Sequence, residues 1–230
     1  MPSLTPLEVE ALGLSLRVAV WCVVISLPVA LAVAWVLARH EFPGKMLMNG
    51  IVHLPLVVPP VVVGYMLLVL FGREGPIGGW LESTLGLTVA FTWQGAALAS
   101  AVMAFPLMVR AMRLSLEAVD VRLEAAARTL GAGRARAFLT VTLPLTSPGI
   151  LAGVVLGFAR SLGEFGATIT FVSNIPSETR TLPLALYSLT QTPGGDVGAL
   201  RLAAISVVLA LAALAASELL ARRVKARVGA

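Results

Sequence analysis

Residues 18–38 read VAVWCVVISLPVALAVAWVLA, which is 21 residues without Asp, Glu, Lys or Arg between Arg17 and Arg39. A helix needs roughly 20 apolar residues to cross the hydrocarbon core of a bilayer. Four more runs of this kind follow along the chain, and only the last is interrupted, by Glu218. We therefore predict an all-α, polytopic membrane protein with five transmembrane helices, at about 14–38, 48–71, 87–110, 144–163 and 199–221.

The composition agrees with a membrane protein and excludes other classes. Of the 230 residues, 58% are hydrophobic and 13% are charged, whereas soluble domains average roughly 45–50% and about 25%. The same balance excludes intrinsic disorder. Cys22 is the only cysteine, which excludes a disulfide framework and a cage of cysteine ligands, and no metal site is expected. The sequence contains no Walker-type phosphate loop, so the energy for any active transport must come from another chain or from an ion gradient.

No linker divides the chain, and residues 1–230 are expected to form a single transmembrane domain. A charged, helix-rich loop is predicted at 111–140, between the third and fourth spans. Stretches rich in Gly and Pro, at 72–79 and 193–198, are predicted to be loops. The uncharged stretch 181–192 is too short to cross the membrane, and we expect it to be re-entrant or interfacial.

The basic residues are distributed unevenly between the two sides that five crossings define. Twelve of the 17 Lys and Arg residues lie in 39–45, 110–136 and 222–227, which five crossings place on the same side. Cytoplasmic loops carry an excess of Lys and Arg, so we expect a periplasmic N-terminus and a cytoplasmic C-terminus. The same rule explains the net charge of +5, and no nucleic-acid partner is expected.

The segment 121–150 reads VRLEAAARTLGAGRARAFLTVTLPLTSPGI. Good helix formers precede Gly131 and Gly133, which predict a turn with a left-handed residue. The pair Leu143-Pro144 marks the start of the next span. We therefore predict a helix, a turn and a second helix outside the membrane. A helix rich in Ala lacks bulky side chains and fits a groove on another protein, and the alternative is an ordinary amphipathic connector on the membrane surface.

This segment resembles the EAA loop of the permease subunits of bacterial binding-protein-dependent ABC importers. That pattern is Glu-Ala-Ala, three residues, Gly, nine residues, Ile, one residue and Leu-Pro. With its Gly placed on Gly131, its Ala pair falls on Ala126 and Ala127, and its Glu falls on Ala125, one residue after Glu124. The stretches 53–65, 161–187 and 191–195 are similar to permeases of the sulfate/molybdate branch of this family.

The resemblance implies a type I ABC importer permease fold in the bacterial inner membrane, embedded in the lipid bilayer. It implies a homodimer that works with two cytoplasmic ATP-binding subunits and a periplasmic oxyanion-binding protein. Molybdate is the implied substrate, with sulfate or tungstate as alternatives. The chain is then not an enzyme and binds no cofactor, because its partners use the ATP. The implied ATPase-coupling residues are Glu124, Ala125, Ala126, Ala127, Gly131, Ala132, Gly133, Phe138, Leu143 and Pro144.

The second span contains Pro55, Pro59 and Pro60, and interior prolines remove backbone hydrogen bonds. In membranes such breaks are tolerated where a cavity or a neighbour satisfies the freed carbonyls. We predict a broken helix that lines the transport pathway, and the alternative is a kinked helix with a packing role. Small residues in the fourth span recur every four positions and predict close helix packing, at Gly149, Gly153 and Gly157.

Polar residues follow the fourth span. Arg160 and Glu164 are spaced i, i+4 and can neutralise each other, so we expect a structural or gate-lining ion pair. The alternative is a proton relay in an ion-coupled carrier. Hydroxyl groups that could donate to a passing oxyanion belong to Ser161, Thr168 and Thr170. Two other functions are therefore possible, namely a carrier or channel that acts alone and a membrane scaffold without a transport role.

Overall fold

The computed structural model describes residues 5–228, without the side chains of residues 217, 218 and 220–228. The described residues form eleven α-helices and one π-helical turn and contain no strand, so the predicted all-α fold is confirmed. The α-helices are α1 (Pro6–Arg39), α2 (Lys45–Val57), α3 (Pro60–Phe71), α4 (Pro76–Leu85), α5 (Trp93–Ala118), α6 (Val121–Thr129), α7 (Arg134–Ala137), α8 (Leu143–Leu162), α9 (Gly166–Val172), α10 (Leu182–Thr190) and α11 (Asp196–Val228). The π turn is Phe138–Thr142, between α7 and α8.

Four helical stretches of the described chain are long and apolar enough to cross a membrane. Three are α1, α5 and α11, and the fourth is the rod, our name for the continuous stretch 134–162 that α7, the π turn and α8 form together. A fifth candidate is the pair α2 and α3, which is bent by 113° at the break between the two helices. The five predicted spans therefore correspond to four intact helical stretches and one broken helix.

The intact helices have other ends than the predicted spans, and α1 and α5 illustrate this. α1 begins at Pro6 rather than near residue 14, because Thr5 and Glu8 form a capping box. The Thr5 N–H donates to the Glu8 carboxylate at 2.7 Å, and the Glu8 N–H donates to Thr5 Oγ1 at 3.4 Å. The helix α5 begins at Trp93 rather than near 87 and continues to Ala118. The first part of the predicted loop 111–140 is therefore the end of a membrane helix.

The predicted loop at 72–79 is wrong in its second half, because α4 begins at Pro76. Gly75 is its N-cap and Pro76 its first residue, an arrangement that favours helix initiation because proline lacks the N–H that a first turn leaves unpaired. Gly86 ends the helix in a left-handed conformation, with φ of 64°. The start signal at Gly75 and Pro76 and the stop signal at Gly86 are both present in the sequence. The prediction of a loop instead relied on the three other glycines of the stretch 72–79.

The helix α5 lies at the centre of the described chain. Its most apolar stretch is 67% buried, against 11% for α11. Its largest contacts are with α1 and α8. The buried residues of α5 are mainly alanines and methionines, and small side chains allow neighbouring helices to approach closely.

The helix α8 packs tightly on α5 along the three glycines that predict helix packing. A Cβ atom on Gly149 would overlap the Cβ of Ser115, and one on Gly157 would lie 2.6 Å from Sδ of Met108. Gly153 lies between them and faces the same helix. The sequence left open whether the partner helix belongs to this chain or to a second copy, and the structure shows that it is α5 of the same chain.

Substitution of Gly149 by Ala is expected to destabilise the protein. The new methyl group would meet a Cβ atom that is fixed to the backbone of α5, and overpacking of this kind costs about 1–3 kcal/mol. The thermal unfolding midpoint of the purified protein in detergent should therefore fall. Gly13→Ala is the matched control in α1, since no atom lies within 4 Å of the new Cβ. The double variant Gly149→Ala/Ser115→Gly should regain stability, and absence of rescue would contradict the packing described.

Candidate functional site

The segment that follows α5 folds as predicted into a helix, a glycine turn and a short helix. Asp120 caps α6, since its carboxylate accepts from the Arg122 N–H at 2.9 Å. Gly131 has a φ of 91°, in the left-handed region that favours glycine. Its N–H donates to the Arg128 carbonyl at 3.1 Å. The turn therefore depends on glycine at position 131.

An open cleft lies between α6 and α7 and has a volume of about 570 Å³. No residue of α6 is buried. The apolar side chain of Leu130, at the turn, is 89% exposed. A large apolar side chain immediately before the glycine is the signal for this residue, and our prediction missed it. The cleft is lined by Ala125, Arg128, Thr129, Ala132, Gly133 and Arg134.

Glu124 does not line this cleft and contacts the transmembrane helices instead. Its Oε1 accepts from the Thr142 hydroxyl at 2.5 Å and lies 3.4 Å from Arg39 Nη2. The same Arg39 nitrogen donates to the Val119 carbonyl at 3.2 Å. Side-chain exposure is 12% for Arg39 and 29% for Glu124. Glu124 therefore joins α6 to the end of α1 and to the π turn.

Three further residues of the predicted coupling set do not line the cleft, namely Phe138 in the π turn and Leu143 and Pro144 at the start of α8. The Phe138 ring lies 6.2 Å from the ring of Trp35 in α1, centroid to centroid. The Leu143 N–H donates to the Phe138 carbonyl, five residues back. This wider turn precedes Pro144, which has no N–H to continue the α-helical ladder.

Side-chain hydroxyls support the rod near its prolines. Pro148 offers no N–H to the Pro144 carbonyl, and the Ser147 hydroxyl donates to that carbonyl at 2.6 Å. The Thr146 hydroxyl donates to the Thr142 carbonyl at 2.9 Å. Such replacement bonds are what makes prolines tolerable in membrane helices. At a rise of 1.5 Å per residue, the 29 residues of the rod span about 40 Å.

At the far end of the rod, the predicted ion pair is present. Arg160 Nη1 lies 2.7 Å from Glu164 Oε2, and the Glu164 side chain is 1% exposed. The other carboxylate oxygen, Oε1, accepts from the Ala167 N–H at 2.8 Å. Glu164 therefore neutralises Arg160 and caps the first turn of α9, so it holds α8 and α9 together.

The three hydroxyl groups near this end are less available than the sequence suggests. The Thr168 hydroxyl donates to the Phe165 carbonyl and the Thr170 hydroxyl donates to the Gly166 carbonyl, both at 2.9 Å. Ser161 is buried, and its Oγ has no hydrogen-bond partner among the described residues. In this conformation the two threonines are therefore not free to donate to an oxyanion.

The second predicted span is broken at residues 58 and 59, between α2 and α3, so the kinked-helix alternative is wrong. The helix α3 packs directly on α9. A Cβ atom on Gly64 would lie 2.5 Å from the Ala167 carbonyl oxygen, and one on Gly166 would lie 2.7 Å from Cβ of Pro60. The broken helix is thus linked through α9 to the Glu164 end of the rod. That it lines a pathway stays a prediction.

The stretch 181–192 contains α10, which contacts α1 and α11. The Leu182 N–H donates to Ser15 Oγ at 2.7 Å. At the same end, Arg201 Nε lies 2.7 Å from Glu8 Oε1, and the Glu8 side chain is 2% exposed. These contacts fix α10 and the start of α11 against the first turns of α1.

Residues 26–226 match the family described as binding-protein-dependent transport system inner membrane component. Because this match covers most of the chain, the chain belongs to that family of multi-pass inner-membrane permease components. The resemblance carried by the segment 121–150 is thereby confirmed.

Several relatives are similar along almost their whole length. The molybdenum transport system permease protein ModB of Escherichia coli strain K12 is 62% identical over 226 residues, which are 98% of this chain and 99% of that protein. The protein of the same name from Haemophilus influenzae is 58% identical over 223 residues, 97% of each chain. The sulfate transport system permease protein CysW of Synechococcus elongatus is 41% identical over 202 residues, 86% of this chain and 70% of that protein.

Solved structures show the fold independently. A bacterial ABC transporter involved in the import of the acidic polysaccharide alginate has a chain that superposes with a TM-score of 0.75. The two sequences are 17% identical, and the alignment covers 96% of this chain and 80% of that chain. The arrangement of helices described above is therefore that of an ABC importer permease.

Replacement of Arg160 by Met is expected to leave the Glu164 carboxylate buried and unpaired. Removing one partner of a buried ion pair costs about 3–5 kcal/mol, and the partial exposure of Arg160 places this pair near or below the lower figure. The unfolding midpoint of the purified permease should therefore fall.

The double variant Arg160→Met/Glu164→Gln should recover much of that loss. Glu82→Gln is a suitable control, because the pair Arg73–Glu82 is exposed (76% and 40%) and 3.7 Å long. A double variant no more stable than Arg160→Met would show that the stranded charge is not the cause.

Proposed function

We propose that this chain is the permease subunit of an ATP-driven importer that moves molybdate across the inner membrane. The assignment of molybdate as the substrate is supported by the 62% identity to a molybdenum permease over nearly the full length of both chains. The identity to the sulfate relative is 41%. Tungstate and sulfate are also tetrahedral dianions, so competition between the three anions is the deciding measurement.

Two separate ATP-binding subunits drive the import of molybdate, and they dock at the cleft between α6 and α7. Support comes from the exposed small residues Ala125 and Ala126, which let another surface approach the helix backbone. Leu130 supplies an apolar side chain that docking would cover. The chain itself binds no cofactor and performs no covalent chemistry, because the partners hydrolyse the ATP.

A second copy of the chain completes the pore, with the pathway on the two-fold axis. The rod and α11 bury only 17% and 11% of their most apolar stretches within one chain, which leaves wide apolar faces for a second copy and for lipid. The chain crosses the membrane with its N-terminus on the periplasmic side and its C-terminus on the cytoplasmic side. The basic side chains of 222–227, which contributed to that prediction, lie outside the described residues.

The way the helices are joined supports alternating access as the mechanism. Closure of the ATP-binding subunits moves α6 and α7, and the rod transmits that motion to Arg160 and Glu164 about 40 Å away. Glu164 is joined to α9, and α9 is packed on the broken helix through Gly64 and Gly166. When this motion opens the pathway at the Glu164 end of the rod, the periplasmic binding protein releases its oxyanion there.

Reconstitution into proteoliposomes tests the proposal against a carrier that acts alone. Radioactive molybdate should enter only when the permease, its ATP-binding partner, the loaded binding protein and ATP are all present. Excess unlabelled molybdate should compete better than sulfate. Uptake by the permease alone would contradict the proposal and favour an ion-coupled carrier or a channel, and no uptake by the complete system would favour a scaffold role.

A second prediction concerns the glycine turn. Ala at position 131 would have to adopt a left-handed conformation, which costs about 1–2 kcal/mol. If docking requires this turn, the dissociation constant for the ATP-binding subunit should rise about five- to thirtyfold. Surface plasmon resonance with the purified permease measures this directly.

Gly44→Ala is the matched control for Gly131→Ala. Gly44 has the same φ of 91°, also has no atom within 4 Å of a new Cβ, and lies between α1 and α2. It should impose similar strain without weakening docking. Equal loss of affinity in both variants would mean that general strain, and not the turn at the cleft, is responsible.

A further inference from the structure

Glu124 lies on a different side of α6 from Ala125, the position at which the EAA pattern has its Glu. That pattern places its Glu on Ala125, which lines the cleft. One residue along an α-helix is a rotation of about 100°. The shift by one position therefore takes the carboxylate away from the cleft and towards the transmembrane helices.

Four structural elements meet at this carboxylate. Arg39 is the last residue of α1, and Thr142 is the last residue of the π turn. Arg39 also binds the carbonyl of Val119, which is the C-cap of α5. Thr142 is fully buried. Glu124 is thus the point at which α6 is fastened to α1, to the end of α5 and to the rod.

The ion pair at this junction is not at its strongest in this conformation. The distance between Arg39 Nη2 and Glu124 Oε1 is 3.4 Å, whereas charged pairs of this kind reach about 2.7–2.9 Å. The Nε of Arg39 is buried and has no acceptor among the described residues. A small movement of α6 towards α1 would therefore shorten the contact, and Nε of Arg39 is a further donor without a partner among the described residues.

We propose that Glu124 is a positioning residue that transmits force from the cleft to the transmembrane helices. A push on the exposed face of α6 is passed through Glu124 to Arg39 and Thr142, so that α1 and the rod move together. The carboxylate acts within this chain and is not a contact to the ATP-binding subunit. The inference rests on the proposed function for the source of the force, but the attachment itself is independent of it.

The attachment can be tested on the purified permease alone. Trypsin cleaves after the exposed residues Arg122 and Arg128 only when α6 opens locally, so the cleavage rate reports the open population. Glu124→Gln removes the charge from a partly exposed pair and should raise that rate about three- to tenfold. An unchanged rate would overturn the proposal.

Glu117→Gln is the control for this measurement. Glu117 pairs with Arg113 at 2.7 Å within α5 and is 39% exposed. Its loss removes a carboxylate from the same region without detaching α6, so cleavage after Arg122 and Arg128 should stay at the wild-type rate. An increase equal to that of Glu124→Gln would overturn the proposal, because it would show a general effect of lost charge.

Transmission is tested in the assembled importer, by molybdate imported per ATP hydrolysed. Glu124→Gln should assemble with the ATP-binding subunit in wild-type yield, while this ratio falls about threefold or more. Arg39→Gln should act alike, and the double variant should be no worse than the worse single variant, because both residues serve one contact.

Two results would overturn the role of Glu124 in transmission. One is a loss of co-purified ATP-binding subunit in Glu124→Gln, which would place the carboxylate in the docking surface. The other is multiplication of the two single effects in the double variant, which would mean that the residues act separately. Absence of molybdate uptake by the wild-type importer would instead count against the proposed function, and the trypsin rates would still test the attachment.

Discussion

The close packing of the rod on α5, at the three glycines of α8, is the constraint on which the rest of this structure depends. Apolar side chains gain little from burial when lipid surrounds them, so membrane helices associate through shape and close packing. Here Gly149, Gly153 and Gly157 leave a line without side chains along α8, and this line lies against Ser115, Met112 and Met108. The rod is therefore held along α5, the most buried of the candidate membrane helices in the described part of the chain, and its two ends are fixed relative to each other.

Two carboxylates then connect the ends of the rod to their neighbours. Glu124 joins the start of the rod to α6 and α1, and Glu164 joins the end of the rod to α9. Both carboxylates are paired with an arginine and also accept a hydrogen bond from a neutral group, which offsets the cost of removing a charge from water. Motion at the cleft can reach the broken helix because each joint between them is a continuous helix, a paired carboxylate or close packing at a glycine.

Local features of this fold could be predicted from the sequence, because they depend on neighbours within one or two helical turns. These include the glycine turn at 131, the break at Pro59 and the pairing of Arg160 with Glu164. Contacts between distant parts of the chain could not be predicted from the sequence. Nothing in the sequence joins Arg39 to Glu124 or Glu8 to Arg201, since those pairs depend on how whole helices pack. Thr168 and Thr170 differ from these pairs, because their hydroxyls bond to carbonyls only three and four residues back.

The central claim is that motion of the coupling segment reaches the far end of the rod. The most direct test is the distance between spin labels on the two permease copies within the assembled importer. A spin label at Gly163→Cys, in a Cys22→Ala background, lies just beyond Leu162, and no atom lies within 4 Å of a Cβ at that position. A second variant carries the label at Arg134→Cys. Pulsed EPR should show both distances shifting when ATP binds. A shift at 134 with an unchanged distance at 163 would contradict the account.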